Sequence, residues 1–399
     1  MKPPARPDLR AFWLQVHLWL GLTAGVVGAL MGVSGSILVY DHEIDHLLNP
    51  RRYEISGAEI ALPFAGYVER AARALEGRAR PIGIRLADRE DGPVMVFARS
   101  GSGPFQRVYL DPPTGRVLDA ASGRDYLGWL HSFHESLTLR EYNGREIVGV
   151  IGIALLASAL SGLYLWWPAR GLWRGSLGFR RSFALTRNLH YRCGFWGALV
   201  LALLSFTGIF LAFPDAGRKA VAVFGAVSTW PRGIQAAEGS GRPIGPDDAV
   251  ATARALYPDA AVIGLGLPAG PRGVYRINLR EAGDASPRSG TVVFIDPGSR
   301  AILGRADRAS RTAPEGFLLW QRILHEGGSF GATGRAVTFL GGLLPGLLMV
   351  TGLVMWVRNR RKHAGTETRA GGVAREGSGA VLARLRRARP RRSRTTGRG

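Results

Sequence analysis

No charged residue occurs between Arg10 and Asp41, and three further uncharged stretches cover 147–169, 193–214 and 336–357. At about 1.5 Å of rise per residue, each is long enough to cross roughly 30 Å of hydrocarbon. In lipid a spanning segment must satisfy its own backbone hydrogen bonds, so runs of this length read as helices. The expected fold class is therefore membrane α-helical, with transmembrane helices over 12–40, 146–169, 190–214 and 336–357. The first run is too long for the core of a signal peptide, and no small-residue cleavage site follows it, so it is expected to stay as an anchor.

The formal net charge is +22, and the basic residues sit beside these runs. Lys2, Arg6 and Arg10 precede the first; Arg170, Arg174, Arg180, Arg181 and Arg187 lie between the second and third; Arg358, Arg360, Arg361 and Lys362 follow the fourth. The positive-inside rule then places the N-terminus (1–11), the loop 170–189 and the tail 358–399 in the cytoplasm, with 41–145 and 215–335 outside. The Arg-rich stretch Arg384–Arg398 contains Pro and Gly and reads as a disordered tail lying on anionic lipid. No folded basic module accompanies it, so nucleic acid is not an expected partner.

Comparing the sequence with itself shows an internal duplication. His17-Leu18-Trp19-Leu20-Gly21 aligns with His190-Tyr191-Arg192-Cys193-Gly194, and the same offset brings Ser34-Gly35 onto Thr207-Gly208. Trp129 and His134 fall on Trp320 and His325; after a one-residue slip, Gly144-Arg145 falls on Gly334-Arg335 and Ser161-Gly162-Leu163 on Thr351-Gly352-Leu353. The expectation is two tandem repeats inserted in the same orientation, each with an outer segment between its two helices.

Each outer segment reads as a helix followed by short alternating strands. The first has a helix over 67–75 and strands over 82–86, 94–98 and 107–110; the second has a helix over 247–256 and strands near 262–267, 274–279 and 291–295. Asp111-Pro112-Pro113-Thr114-Gly115 and Asp296-Pro297-Gly298-Ser299 end the third strands in comparable turns, each followed by a short apolar strand. Two small α+β extramembrane domains are expected.

With these motifs the chain resembles the PepSY-associated transmembrane proteins, which include iron-regulated membrane proteins and inner-membrane ferric-siderophore reductases. The resemblance covers roughly 10–360. It rests on the His-x-Trp-Leu-Gly opening of the first helix, the Leu-His pair opening the third, the Leu/Phe-His segments followed by Gly-Arg, the Ser/Thr-Gly pairs and the Asp-Pro turns. It implies PepSY-like outer domains and a bacterial cytoplasmic-membrane electron-transfer protein that carries b-type haem and is linked to iron release from siderophores.

Four of the eight histidines occupy duplicated positions, His17 with His190 and His134 with His325. A lone His near a membrane interface commonly serves as an anchor or packing residue. Ionisable groups at membrane depth are costly, however, and neutral imidazole is the usual ligand of haem iron in electron-transfer sites. Two haem b groups are expected, one held by His17 and His190, the other by His134 and His325. Covalent haem attachment and iron–sulfur clusters are excluded because Cys193 is the only cysteine. Gly21, Gly25, Gly28, Gly32 and Gly35 give the first helix a small-residue face that suits either a haem slot or close helix packing. The third helix repeats part of that face at Gly194, Gly197 and Gly208. His131 shares a helix face with His134 but has Arg322 at its duplicated position, so His134 is preferred. His42 and His46 have the spacing of a metal pair, with a solvated helix extension as the plainer reading. His363 lies in the tail and is given no role.

No dinucleotide fingerprint, phosphate loop, nucleophile elbow or His-Glu-x-x-His motif is present. The electron donor is therefore expected to be another protein, a quinol or a diffusible reductant, and ferric siderophore the acceptor. The alternative reading is a membrane-anchored PepSY protein that binds or restrains an envelope partner without redox activity. A transporter is disfavoured by the lack of broken helices or acidic residues in the runs.

Overall fold

The computed structural model describes residues 8–87, 92–101, 105–121, 125–167, 184–227, 233–237, 243–284 and 290–387. Beyond Arg361 only the backbone path is described, so His363 and the arginine-rich tail expected to be disordered lie outside the described side chains.

Four helices are long and apolar enough to cross a membrane. They are α1 (Leu9–Leu38), α5 (Gly144–Trp166), α6 (Leu185–Ala212) and α10, which runs from Gly331 past the expected end of its span to Arg387. Helix α1 packs on α5 and α10, and α6 packs on the same two. Leu30, Val150, Leu160, Leu199, Leu340 and Val350 are more than half exposed along these helices, an apolar surface that water would not tolerate and lipid requires. The protein is a membrane protein.

The glycines of α1 divide between tasks. A Cβ on Gly32 would stand 2.1 Å from the Gly342 carbonyl oxygen, and one on Gly28 would run into Leu155. Ser36 Oγ donates to the Phe339 carbonyl at 2.7 Å. These positions bring helix backbones together. Gly35 instead faces His134, and Gly21 faces open space.

Outside the spans, the short helix α2 (Asp41–Leu48) continues the path of α1, and α3 (Phe64–Ala74) leads into strands β1 (Arg80–Arg85), β2 (Val94–Arg99), β3 (Phe105–Leu110) and β4 (Val117–Ala121). Helix α4 (Tyr126–Ser136) then returns to the bundle. After α6 come α7 (Pro214–Val221), α8 (Pro246–Leu256), strands β5 (Ala261–Gly266), β6 (Tyr275–Arg280), β7 (Thr291–Ile295) and β8 (Ile302–Ala306), and α9 (Ala313–Glu326). The expected strands are all present.

The eight strands form one antiparallel sheet in the order β4-β3-β2-β1-β5-β6-β7-β8. This revises the expectation of two separate domains, because the segments meet edge to edge with Ile84 opposite Leu265. Pairing the two edges removes two rows of unsatisfied backbone groups. Gly83 and Gly264 permit it, since a Cβ at either would stand within 2.8 Å of a carbonyl across the seam. One face of the sheet buries Ile84, Val96, Val108, Ile277, Leu279 and Val293 beneath α3 and α8 in a single core. Each such side chain contributes about 1.5–3 kcal/mol. Asp247 of α8 accepts hydrogen bonds from the Phe64 and Ala65 backbone N–H groups, so one segment caps the helix of the other.

Two ionic ties hold the segment that follows α1. Arg52 bonds both Asp45 after α1 and Asp119 of β4, at 2.8 and 2.7 Å. Arg335 of α10 holds Glu43 and also donates to the Val39 carbonyl that ends α1.

Candidate functional site

The bundle brings the duplicated histidines together in two pairs. The His17 and His190 rings lie 6.4 Å apart, centre to centre, and those of His134 and His325 6.2 Å apart. His17 and His190 stand in the first half of α1 and α6. His134 and His325 come from α4 and α9, which fold back onto the other end of the same helices. Seventeen residues of α1 separate His17 from Ser34, which touches His134, so the pairs are about 25 Å apart along the bundle.

All four rings are seated in the same way. His17 Nδ1 lies 3.1 Å from the Ser158 carbonyl and 3.1 Å from Ser161 Oγ. His134 Nδ1 lies 3.0 Å from the Met31 carbonyl and 3.1 Å from Ser34 Oγ. His325 Nδ1 lies 3.1 Å from the Leu204 carbonyl and 2.9 Å from Thr207 Oγ1, and His190 Nδ1 lies 3.0 Å from Thr351 Oγ1. Each hydroxyl spends its own hydrogen on a helix carbonyl three or four residues back. Both partners can then only accept, so Nδ1 carries the proton and Nε2 carries the lone pair.

The glycine after each hydroxyl makes room for the ring. A Cβ at Gly35 would stand 2.7 Å from His134 Cε1, and one at Gly162 2.9 Å from His17 Cε1. At Gly208 and Gly352 the distance to His325 and His190 would be 3.2 Å. The sequence showed the Ser/Thr-Gly pairs as duplicated but did not show that each seats a histidine of another helix. The available signal was that both sets recur in the same number.

Outside the spans, burial pushes the His134 ring below its ordinary value, against the Met31 carbonyl that favours the proton. Burial first, and then the charge His134 would carry, lower His325 to about 4. Both are neutral at pH 7, the form that ligates.

The residues would fit a metal-centred group held between two imidazoles on three counts. The paired ring centres stand 6.4 and 6.2 Å apart, a separation that would leave space for one metal ion between two neutral imidazoles. Nδ1 is anchored to a backbone carbonyl or hydroxyl, the outer arrangement that fixes a ligating imidazole. Gly21, one turn beyond His17, has nothing within 4 Å of where a Cβ would stand, which leaves space beside that ring.

The other histidines do not join either pair. His131 donates from Nδ1 to the Leu127 carbonyl at 3.0 Å and points its Nε2 at Asp41, 3.8 Å away. His42 and His46 both lie against Tyr53. Among the described residues, no three or more His, Cys, Asp or Glu gather as a metal site.

The family model for the PepSY-associated TM region matches residues 14–359. No curated protein matches the sequence.

Proposed function

Because the chain belongs to the family of the PepSY-associated TM region, we propose that it is a b-type haem electron-transfer protein of the bacterial cytoplasmic membrane. His17 with His190 would hold one haem, and His134 with His325 a second. The observation that carries this reading is the common seating of the four imidazoles, each with Nδ1 anchored and the rings paired at about 6 Å.

Haem iron supplies a one-electron carrier when bound at such a pair. The chain's own residues do the rest. Ser158, Met31 and Leu204 carbonyls fix the tautomer, and Ser161, Ser34, Thr207 and Thr351 hold the ring planes. The apolar helices keep water from the rings. Two pairs at opposite ends of one bundle suit passage of electrons across the membrane, and the matched seating in both halves supports a tandem duplication in which each half supplies a PepSY-like segment to the sheet.

The charge pattern supports cytoplasmic termini and an external sheet. Electrons would then come from a protein, a quinol or a diffusible reductant and leave toward an acceptor at the sheet. Ferric siderophore suits that position, because reduction to Fe(II) weakens the hold of hard oxygen ligands on the metal.

The test is haem content of the full-length protein purified after haem-replete expression. A sharp Soret band that shifts on reduction, with two haems per chain, is expected. A colourless, folded preparation would overturn the reading in favour of a PepSY binding protein without redox activity.

A further inference from the structure

The helices that carry His134 and His325 turn apolar side chains away from the protein. Tyr126, Trp129 and Phe133 of α4 and Phe317, Trp320 and Leu324 of α9 recur at the same offset as the two histidines themselves. Spaced three and four residues apart, each set forms one stripe along its helix. Trp129 is 58 % and Trp320 44 % exposed, and Tyr126 and Phe317 are exposed with them. Trp129 stacks on Phe133, with ring centres 5.6 Å apart. An exposed aromatic stripe repeated in both halves marks a surface that something covers.

The other faces of these helices are accounted for. At 3.6 residues per turn, His131 and Arg322, which occupy matching positions, stand roughly opposite the stripes. His131 Nε2 lies 3.8 Å from Asp41, just past the end of α1. Arg322, with Glu315 and Leu319, borders the space between the sheet and the bundle. A further face turns to the bundle, where His134 and His325 reach Ser34 and Thr207. Each helix therefore has one side for the bundle, one for the sheet, and a stripe that meets neither.

Depth follows from the same contacts. Ser34 is four residues before the end of α1 and Thr207 five before the end of α6, so both stand about one turn inside the spans. Trp129 and Trp320 each precede their histidine by five residues. Whatever the tilt of α4 or α9, their Cα atoms then lie within about 8 Å of that histidine's level. This is the boundary between hydrocarbon and headgroups, where Trp and Tyr collect. The stripe of α9 also runs on into the lipid-facing side of α6. Phe206, exposed on that span, lies 5.1 Å from Phe210, and Phe210 lies 5.4 Å from Phe317, centre to centre. Beside α4, Ile147 and Val150 are exposed on the first turns of α5.

We propose that α4 and α9 are interfacial helices whose stripes rest on the sheet-side leaflet, against the glycerol and upper acyl region of the phospholipid. Helix α4 packs on α1 and α5, whereas α9 packs on α6, so the two stripes sit on different flanks of the bundle. One protein partner or a second copy of the chain would cover one flank; a surrounding bilayer covers both. Lipid is then a structural wall of the sheet-end histidine pair, pressing each helix from the side opposite the sheet. The other pair, carried on the spans themselves, has no such wall.

The test uses the full-length protein in phosphatidylcholine nanodiscs, one chain per disc. Cys193→Ser removes the native thiol. A nitroxide is then placed at Trp129→Cys, at Trp320→Cys or, as the aqueous reference, at Arg73→Cys on the exposed side of α3. Accessibility to oxygen and to a neutral nickel chelate gives the depth of each label. The two stripe labels are expected about 5–10 Å below the phosphate level, with the reference open to the chelate. Because a label replaces the tryptophan it reports on, the unmodified protein is measured too, in phosphatidylcholine brominated near the glycerol end of its chains. Trp129→Phe with Trp320→Phe should lower the quenched fraction of tryptophan fluorescence, whereas removing two water-facing residues would raise it. Melting curves exclude variants that fail to fold. Stripe labels as open to the chelate as the reference would overturn the proposal, as would a quenched fraction that rises or stays the same. Labels shielded from both oxygen and the chelate would also overturn it, since protein rather than lipid would cover the stripe. Haem content does not enter these readings, so a colourless protein with lipid-buried stripes keeps this proposal while failing the electron-transfer reading.

Discussion

His17 Nδ1 and Ser161 Oγ stand 3.1 Å apart across α1 and α5, joining two features 144 residues apart in the chain. The same contact recurs between His134 and Ser34, His190 and Thr351, and His325 and Thr207. A ring held this way has its orientation decided before any ligand arrives.

The glycine beside each hydroxyl therefore sets a graded series. Alanine at Gly35 or Gly162 would press within 2.9 Å of a histidine carbon, whereas at Gly208 or Gly352 it would stand at 3.2 Å. Gly35→Ala and Gly162→Ala should lower haem occupancy at their own pair more than Gly208→Ala and Gly352→Ala. Gly316→Ala, which meets nothing within 4 Å, should leave it unchanged. Ser161→Ala keeps the Ser158 carbonyl and should weaken haem binding by about tenfold without abolishing it. Haem-to-protein ratios across the series provide the check, and equal ratios throughout would defeat the argument.

Glu43 and Arg335 give a pH signature. The Arg335 guanidinium, by direct hydrogen bonding, holds the Glu43 carboxyl at about 2 instead of its ordinary 4.5. A carboxylate whose folded value lies below its unfolded value stabilises the fold fully above pH 4.5, and that contribution is lost as pH falls toward 2. The pair is partly exposed, so the contribution is small. Glu43→Gln should lower the melting temperature of detergent-solubilised protein at pH 6 and converge on the parent at the acid end of that window. A deficit that grows on acidification would contradict the sign.

The turns after β3 and β7 differ in one residue of consequence. Gly115 has φ +66° and Arg300, at the matching place, has φ +63°. Left-handed backbone costs an arginine about 1 kcal/mol that glycine does not incur. Arg300→Gly should raise the melting temperature slightly. Gly115→Ala should lower it, since the new Cβ also meets the Arg70 side chain at 2.8 Å. The opposite order would show that the Arg300–Asp248 contact matters more than the backbone.

Much of this was legible in the sequence for definite reasons. The spans follow from uncharged length, and the strands from alternation between Pro and Gly turns, so their limits agree with the structure within about five residues except at the end of the fourth helix, which continues to Arg387. The histidine pairs were legible because duplication marks equivalent positions. The single sheet was not, because pairing of Ile84 with Leu265 depends on two segments meeting in space and nothing local encodes it.

Sidedness is tested by a reporter fused after Arg361. With Arg358, Arg360 and Arg361 following the fourth span, activity is expected only from a reporter that works inside the cell. Activity confined to the outside would invert the whole arrangement, sheet included.

The decisive prediction concerns which haem each histidine holds. His17 and His190 lie 6.4 Å apart at one end of the bundle and His134 and His325 6.2 Å apart at the other, about 25 Å away along α1. A ligand shared between the pairs is therefore impossible, and His17→Ala or His190→Ala should remove one haem and leave the second. His134→Ala or His325→Ala should remove the other. His131→Ala, His42→Ala and His46→Ala should keep both, since these rings turn to Leu127 or Tyr53 instead. Replacing one imidazole leaves its carbonyl and hydroxyl partners to water, so some destabilisation accompanies each change, and melting curves must be recorded alongside haem content. Haem loss well beyond any loss of folded protein identifies a ligand; loss in proportion identifies a packing residue. If all four variants keep two haems, the pairs are packing features and electron transfer must be sought elsewhere.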